Sequence, residues 1–325
     1  MIAHLKRAAC RTASATGLFR ITRAMTAHMP RILMYHGFCG VDEPYDDCTR
    51  VDVFLRQLLH IKRHYRPMRL STLGRLIATG RPLPERAVAI TVDDGYASFA
   101  QYAVPLLSEL EIPATLFVVS DFPGTGQWLW TDKYKVLYAR AQSLPAHQQG
   151  PPRSSLADLK KLTVAERDAR LAELAERLAV SIPERAPRRF ALLHWRELKE
   201  LVADGSVEIG AHTRDHPILT RVGRAAAREQ IQGSRRELEL KLGTPVTTFC
   251  YPNGLSNDYS AEHLDMVRDA GFVCATASHI GWVAPESNRF ALPRIGGDGG
   301  DMLQFRKYLD GFEYWQRRAL AARHA

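Results

Sequence analysis

The sequence predicts an α/β fold, a distorted (β/α) barrel of about seven parallel strands with a helical insertion. Short apolar runs alternate with amphipathic helical patterns along most of the chain, which is typical of a parallel sheet. Glycines end several of these helices just before the next apolar run, at Asp204-Gly205, Leu242-Gly243 and Ala270-Gly271. Polar residues follow the apolar runs, and barrels of this class gather their functional side chains where strands end.

Seven apolar runs of strand length supply the predicted strands, as expected for strands that are buried on both faces. They span residues 32–35, 88–92, 114–119, 207–211, 246–251, 272–276 and 290–295. The alternation breaks between residues 121 and 190, where Trp128, Trp130 and Tyr134 precede a proline-rich stretch and a charged helix at 164–179. We interpret this segment as a helical insertion that caps the barrel. Its aromatic side chains either anchor helix packing or stack on the rings of a ligand.

The predicted organisation is one barrel domain over residues 31–310, including the insertion 121–190. A basic N-terminal segment, 1–30, precedes it and a C-terminal tail, 311–325, follows it. A chain of 325 residues can bury one large core. Its net charge of +9 comes without a lysine-rich tail, a zinc finger or an aromatic-basic pattern, so we predict no nucleic-acid partner. The charge indicates a solvated basic surface or attraction to anionic lipid or glycan.

The five cysteines are odd in number and scattered, and they form no CxxC pair: Cys10, Cys39, Cys48, Cys250 and Cys274. This pattern predicts neither a disulfide framework nor a thiolate zinc site, and it favours a reducing compartment. Basic residues interrupt the first 31 positions too often for the apolar core of a signal peptide, and no run reaches the length of a transmembrane helix. We therefore predict a cytoplasmic location.

The first 31 residues contain no acidic residue. Leu18, Ile21 and Met25 share one face of a predicted helix, and Arg20 and Arg23 lie on the opposite face. This arrangement is typical of a helix that lies in a membrane interface. A plain surface helix or a frayed terminus explains the same pattern, so peripheral membrane contact is one of three interpretations.

Two motifs predict a metal site. Thr91-Val92-Asp93-Asp94-Gly95 ends a buried strand with adjacent carboxylates, which repel one another unless a cation or a proton shares the site. His212 and His216 are one helical turn apart, a spacing that lets both rings meet one ion. Asp94, His212 and His216 therefore form a candidate three-ligand site with positions left for water and substrate, and Asp93 remains as a base.

Both motifs are also compatible with simpler roles or with a different metal. Turns are rich in Asp and Gly for reasons of backbone conformation, and a helix cap with a surface histidine accounts for the histidine pair without a metal. Two histidines and a carboxylate also bind iron in oxygenases. Those iron ligands usually lie on an antiparallel β-barrel, whereas the pattern here alternates strands with helices.

Both motifs resemble those of the polysaccharide deacetylases, the NodB-homology group of carbohydrate esterases. The first family motif is T-F-D-D-G and the second is H-[ST]-x-x-H, and the resemblance extends from about residue 32 to residue 295. It implies a divalent metal, most often zinc, with cobalt or nickel as alternatives. The ion would be held by Asp94, His212 and His216, and Asp93 would act as the general base.

The third family motif, usually R-x-P-Y, differs here. Phe249-Cys250-Tyr251-Pro252-Asn253-Gly254 lacks the arginine that orients the base. Branches with this Tyr-Pro form imply substrate contacts from Tyr251, Pro252 and Asn253, with the Tyr251 N–H facing the oxyanion. A Pro-Asn-Gly turn that closes a strand explains the same residues. For Arg294, at another strand end, we expect orientation of Asp93, contact with an acidic sugar, or a surface salt bridge.

The general acid of the family is normally a histidine near the C-terminal end of the domain, and residues 291–295 contain none. Met34-Tyr35-His36-Gly37 instead resembles the N-terminal Tyr-His motif of the branch that includes the poly-N-acetylglucosamine deacetylases. This resemblance implies that His36 protonates the leaving amine. A strand-end histidine that only packs locally is the alternative.

The expected activity is metal-dependent hydrolysis of the N-acetyl group of an N-acetylhexosamine in a polysaccharide, oligosaccharide or glycolipid precursor. The alternatives are a small-amide hydrolase of the same fold and a non-catalytic carbohydrate-binding relative. The insertion favours a large substrate. The missing arginine of motif three favours a relative that binds carbohydrate but has lost its catalytic activity.

Overall fold

A computed structural model describes residues 2–43, 45, 47–144 and 155–324. The strands in this part of the chain are β1 (Arg31–Tyr35), β2 (Phe38–Cys39), β3 (Thr49–Arg50), β4 (Arg66–Pro67), β5 (Ala87–Val92), β6 (Ala114–Val118), β7 (Val207–Ala211), β8 (Thr248–Cys250), β9 (Cys274–Ile280) and β10 (Leu292–Gly296). The α-helices are α1 (Ile2–Ala15), α2 (Leu18–Met25), α3 (Val51–His64), α4 (Leu70–Ala78), α5 (Val104–Glu109), α6 (Trp130–Ser143), α7 (Leu156–Leu159), α8 (Val164–Arg177), α9 (Trp195–Asp204), α10 (Arg224–Leu242), α11 (Ala261–Asp269), α12 (Met302–Leu309) and α13 (Phe312–His324).

Seven parallel strands close into a barrel surrounded by helices. Their order is β1-β10-β9-β8-β7-β6-β5, and β5 pairs with β1 to complete the ring. The short β4 pairs with β5 as an additional strand. Strands in such a barrel are buried on both faces, and all six residues of β5 are buried. Each of the seven predicted strands forms, so the prediction of a (β/α) barrel is confirmed.

Glycine ends helices α9 and α10 at the positions that the sequence indicated. Gly205 follows α9 with φ 77° and Gly243 follows α10 with φ 68°, the left-handed conformation that glycine adopts without strain. Each glycine turns the chain from a surface helix back towards the next barrel strand.

The segment between β6 and β7 contains α6, α7 and α8, which share a small apolar core of their own. Trp128, Trp130 and Tyr134 are at most 9% exposed. Their burial agrees with a role in packing, and Trp130 also lines a cavity at the carboxyl ends of the strands. Residues 145–154, which include most of the predicted proline-rich stretch, lie outside the described residues.

The N-terminal helices α1 and α2 pack against α12 and α13, the latter in the predicted C-terminal tail. Arg23 lies opposite the apolar stripe of α2 as predicted, but this face is packed on the protein and Arg23 is only 8% exposed. Its guanidinium pairs with Asp310 at 3.1 Å. Among the described helices, none has the length and apolar character required to cross a membrane.

Strands β2 and β3 form a separate pair that brings two cysteines together. Cys39 and Cys48 form a disulfide, with their Cα atoms 5.9 Å apart. The prediction that the chain has no disulfide was therefore wrong, because the pairing depends on a local strand pair that cysteine number and spacing do not reveal. The disulfide also removes the cysteine-based argument for a reducing compartment. Cys10, Cys250 and Cys274 are free and buried.

Candidate active site

The carboxyl ends of the barrel strands surround a cavity of about 930 Å³. Asp93 and Asp94 follow β5, His212 follows β7 and His36 follows β1, and all four side chains line the cavity. Lys160, at the end of α7, reaches the same cavity from the insertion. The cavity is thus built jointly by strand ends and by the inserted helices.

Asp94, His212 and His216 converge in this cavity. Asp94 Oδ1 lies 3.4 Å from His212 Nε2 and 3.3 Å from His216 Nε2. In a tetrahedral zinc site with bonds of about 2.0–2.2 Å, neighbouring ligand atoms are about 3.3–3.6 Å apart. The three side chains therefore fit a zinc-sized ion with their present spacing. Burial alone would raise the pKa of Asp94, but the two imidazoles hold it well below its ordinary value.

The second nitrogen of His212 agrees with this arrangement. His212 Nδ1 lies 2.8 Å from the carbonyl oxygen of Cys250, so it carries the proton and donates it there. This leaves the lone pair of His212 Nε2 directed towards Asp94. His216 Nδ1 is buried and has no hydrogen-bond partner among the described residues. The nitrogen of His216 that faces Asp94 is Nε2, so Nε2 is the atom that is available to an ion.

The histidine pair does not lie on a helix, which corrects the expected geometry. Residues 212–216 form a loop after β7, and both Thr213 and His216 have positive φ, 64° and 61°. The hydroxyl of Thr213 accepts the N–H of His216 at 3.1 Å. Pro217 cannot continue a helix from His216, and the loop instead brings both imidazoles to Asp94.

Asp93 is held by a forked pair with Arg294. The two Nη atoms of Arg294 donate to the two carboxylate oxygens of Asp93, each at 2.7 Å. Burial alone would raise the pKa of Asp93, but the guanidinium outweighs it and holds that pKa below its ordinary value. The side chain of Arg294 is 0% exposed. Its prediction as a contact for an acidic sugar, or as a surface salt bridge, was therefore wrong, and orientation of Asp93 is the expectation that the contacts support.

Arg294 reaches Asp93 from β10, whereas motif three follows β8. When R-x-P-Y is aligned with residues 250–253, its arginine falls on Cys250. The thiol of Cys250 lies 3.2 Å from Arg294 Nη2 and 3.6 Å from Asp93 Oδ2. A small side chain on β8 thus leaves room for the guanidinium that arrives from β10.

His36 stands beside Asp93 and is held by an aspartate that sequence reasoning missed. His36 Nδ1 lies 2.7 Å from Asp298 Oδ2, and His36 Nε2 lies 3.9 Å from Asp93 Oδ2. Burial alone would lower the pKa of His36, but the carboxylates of Asp298, Asp93 and Asp94 outweigh it and raise this pKa to about 9. In this arrangement His36 carries a proton at neutral pH.

Asp298 is oriented by two further donors. It accepts the backbone N–H of His36 at 3.3 Å and the hydroxyl of Thr49 at 2.8 Å. In the sequence, Asp298 stands within Gly296-Gly297-Asp298-Gly299-Gly300, immediately after the last barrel strand. An acidic residue in a glycine-rich run at a strand end was the signal that could have revealed it.

The three residues of motif three occupy different positions from those expected. The N–H of Tyr251 donates to the carbonyl of Thr276 at 3.2 Å, which extends the β8–β9 pairing, and its hydroxyl donates to Phe290 O. Tyr251 therefore has no free N–H for an oxyanion, and this part of the prediction was wrong. Pro252 has no N–H. Asn253 is the member of the three that lines the cavity, and its N–H donates no hydrogen bond within the described residues.

The side chain of Asn253 is clamped from both sides. Lys160 Nζ donates to Asn253 Oδ1 at 2.5 Å, and Asn253 Nδ2 donates to Asp258 Oδ2. Asp258 also accepts the N–H of Leu255 at 2.8 Å. Asn253 has φ 60°, a conformation that asparagine tolerates when its side chain bonds locally. The insertion and the barrel loop together fix the backbone of this residue.

Comparison with known proteins identifies the family. The family model for polysaccharide deacetylase matches residues 80–275, more than half of the chain, and this range contains Asp93, Asp94, His212 and His216. The chain belongs to the polysaccharide deacetylase family. His36, Arg294 and Asp298 lie outside the matched range.

The chain is also similar to individual proteins, in part of its sequence or in its fold. A stretch of 61 residues, 19% of the chain, is 36% identical to a poly-beta-1,6-N-acetyl-D-glucosamine N-deacetylase of Escherichia coli K12, and the match spans only 9% of that protein. IcaB from Ammonifex degensii has a similar fold, with a TM-score of 0.60 at 18% identity over 87% of this chain and 97% of that one. The deacetylase PplD of Streptococcus pyogenes gives 0.59 at 17% identity over 86% and 96%.

Proposed function

We propose that this deacetylase removes the N-acetyl group from an N-acetylhexosamine unit of a glycan, with a divalent metal ion, preferably zinc. The observation that carries the proposal is the convergence of Asp94, His212 and His216 beside Asp93 in one cavity. The Escherichia coli relative acts on a polymer of N-acetylglucosamine by its name, which supports that sugar. Cobalt or nickel would fit the same nitrogen and oxygen ligands.

Asp94, His212 and His216 would hold the metal. When bound, such an ion polarises the acetamide carbonyl and lowers the pKa of a water molecule towards about 7. His212 is prepared for this role by its hydrogen bond to Cys250 O, which fixes the ring tautomer.

Asp93 would act as the general base. Its pKa is held below the ordinary value by Arg294, so the carboxylate is ionised at neutral pH and can accept a proton from the attacking water. The forked contact also fixes the direction of both carboxylate oxygens. The absent arginine of motif three consequently gives no reason to expect a non-catalytic relative.

The backbone N–H of Asn253 would stabilise the oxyanion, in place of the N–H of Tyr251. A preorganised donor at this point stabilises charge only as it develops on the former carbonyl oxygen. The Asn253 N–H lies past the end of β8 and is free of hydrogen bonds in the described structure, whereas the Tyr251 N–H is used by the sheet.

His36 would protonate the departing amine. It carries a proton at neutral pH, and Asp298 keeps the opposite ring nitrogen occupied. His36 Nε2 and the Asp93 carboxylate thus lie next to each other in the cavity, with His36 as the acid and Asp93 as the base.

The test is acetate release from a poly-N-acetylglucosamine oligomer by chelator-treated protein before and after addition of zinc, cobalt or nickel. We expect turnover only after metal addition, and an Asp93→Asn variant should retain the metal while releasing no acetate. Turnover of a small cyclic amide but not of any N-acetylated glycan would assign the site to the alternative substrate class. Turnover without metal would overturn the proposal.

A further inference from the structure

Helix α2 exposes three large apolar side chains on one face. Leu18, Ile21 and Met25 are 37%, 55% and 50% exposed. Residues spaced three and four apart are neighbours on a helix, so these side chains form one continuous stripe. Arg20, which we predicted on the opposite face of the helix, is also exposed. We refer to Leu18, Ile21 and Met25 as the α2 face.

The opposite side of α2 fixes this orientation. Phe19 is fully buried and Thr22 is 4% exposed. The hydroxyl of Thr22 donates to Asp310 O at 2.8 Å, and Arg23 pairs with the carboxylate of Asp310. Because buried polar contacts hold the helix from beneath, the apolar stripe cannot rotate into the core and stays presented to the surroundings.

The N-terminal segment that contains the α2 face carries charge of one sign. The first 31 residues contain no aspartate or glutamate. Arg11 and Arg20 are exposed, and in the described part of the chain neither has a carboxylate within ion-pairing distance. Arg7 is also exposed and pairs with Asp301. An exposed apolar stripe in a segment that also carries unpaired, exposed arginines complements a surface that offers both hydrocarbon and negative charge.

We propose that the α2 face docks on an anionic lipid bilayer, with Leu18, Ile21 and Met25 at the level of the headgroups and Arg11 and Arg20 against lipid phosphates. Amphipathic helices with this division of apolar and basic residues bind in the plane of a membrane interface. A second copy of the chain is a poorer occupant, because a symmetric contact would bring the basic N-terminal segment, which has no acidic residue, against its own copy.

No residue of α2 lines the catalytic cavity, and the last residue of α2 lies shortly before the amino end of β1. The chain runs from α2 into the amino end of β1, whereas the cavity surrounds the carboxyl ends. Binding through the α2 face therefore leaves the cavity open, and the proposal stands independently of the proposed deacetylation.

The experiment is co-sedimentation of the full chain with vesicles of phosphatidylcholine alone or mixed with phosphatidylglycerol. We expect binding to the mixed vesicles that weakens in high salt, and a decrease of about tenfold or more in the partition coefficient of Ile21→Glu. Arg20→Glu should lose the preference for phosphatidylglycerol. Leu240→Glu is the matched control, because Leu240 is 76% exposed on a distant helix.

Circular dichroism and acetate release from a soluble oligomer verify that each variant is folded. The proposal would be overturned if wild-type protein binds neither type of vesicle. It would also be overturned if Ile21→Glu binds the mixed vesicles as well as wild type does. A dimer in light scattering that disappears with Ile21→Glu would also overturn it, since the face would then belong to a second copy. If Ile21→Glu fails to fold, Met25→Ser provides the same comparison with a milder change.

Discussion

Asp93 depends on a residue 201 positions further along the chain. The guanidinium of Arg294 meets both of its oxygens, and Nε of Arg294 donates to the carbonyl of Ala277. A buried carboxylate without such a partner would take up a proton, so this pair determines whether the base is available at neutral pH. The sequence motif identified Asp93 as a candidate base. Its partner Arg294 could be recognised only from the arrangement of the strands in the barrel.

Arg294→Met tests this dependence. Removing one member of a buried ion pair leaves an uncompensated charge, so we expect the free energy of unfolding at pH 7 to fall by about 3–5 kcal/mol. The pKa of Asp93 should rise, and the acidic limb of the pH–rate profile should move to higher pH. Urea denaturation and the pH dependence of acetate release measure these effects, with Arg196→Met as control because Arg196 is 85% exposed. An acidic limb that does not move would contradict the assignment.

The sign of the pH effect on stability follows from the direction of the shift. The pKa of Asp93 is lower in the folded protein than in the unfolded chain. The pair therefore stabilises the fold above the ordinary pKa of about 3.9, and this contribution disappears as the pH falls through the depressed value. Arg294→Met should accordingly be less stable than the wild type at neutral pH. This difference in the free energy of unfolding should disappear only in strong acid.

Asp298→Asn tests the assignment of the acid. Asp298 contributes to raising the pKa of His36 to about 9, so its neutralisation should lower that pKa. A dication in the adjacent site opposes protonation of the ring, so bound metal should shift the basic limb to lower pH. We expect Asp298→Asn to move this limb further down, and His36→Gln to lower kcat by about 10²–10⁴-fold. A basic limb that survives in His36→Gln would show that another group donates the proton.

At the scale of elements, strands were predictable and loops were not. Each of the seven barrel strands could be read from its apolar run because such strands are buried on both faces. The approach of Asp94 to His212 followed from the rule that strand ends share one side of the barrel. The loop of His216 and the hydrogen bond of the Tyr251 N–H depend on tertiary pairing, which short-range pattern does not contain.

Lys160→Met tests whether the insertion contributes to catalysis. Lys160 holds the side chain of Asn253, whose N–H we assign to the oxyanion. A displaced donor costs transition-state stabilisation more than substrate binding, so we expect kcat to fall by about tenfold with little change in KM. Lys160→Arg should restore part of the loss.

Lys161→Met is the matched control, because the side chain of Lys161 is 69% exposed and pairs only with Asp158 within the described structure. Equal kinetics for the two lysine variants would remove Lys160 from the positioning of Asn253.

At the scale of the whole molecule, barrel closure was predictable and its cross-link was not. Alternation of strands and helices indicated a ring, and β5 does pair with β1. The Cys39–Cys48 bond joins the short pair β2–β3, close in sequence to His36 and Thr49. No periodic pattern marks strands of two residues, so the sequence offered no reason to pair these cysteines.

Cys39→Ser should destabilise the oxidised protein. Closing a loop of this length lowers the entropy of the unfolded chain, and the chain-entropy relation gives about 2–3 kcal/mol. We expect the urea midpoint of wild-type protein in dithiothreitol to fall to that of Cys39→Ser, whose own midpoint should not respond to the reductant. A wild-type midpoint that dithiothreitol leaves unchanged would contradict the disulfide.

The proposed chemistry requires that Asp94, His212 and His216 hold one metal ion. It also requires that Asp93 acts as the general base for the attacking water. Calorimetric titration of chelator-treated protein with zinc tests this requirement without any substrate. We expect one ion per chain for wild type and for Asp93→Asn, and loss of the site in Asp94→Asn and His216→Ala, since each variant removes one of three ligands. Undiminished zinc binding by Asp94→Asn would show that these three side chains do not form the metal site.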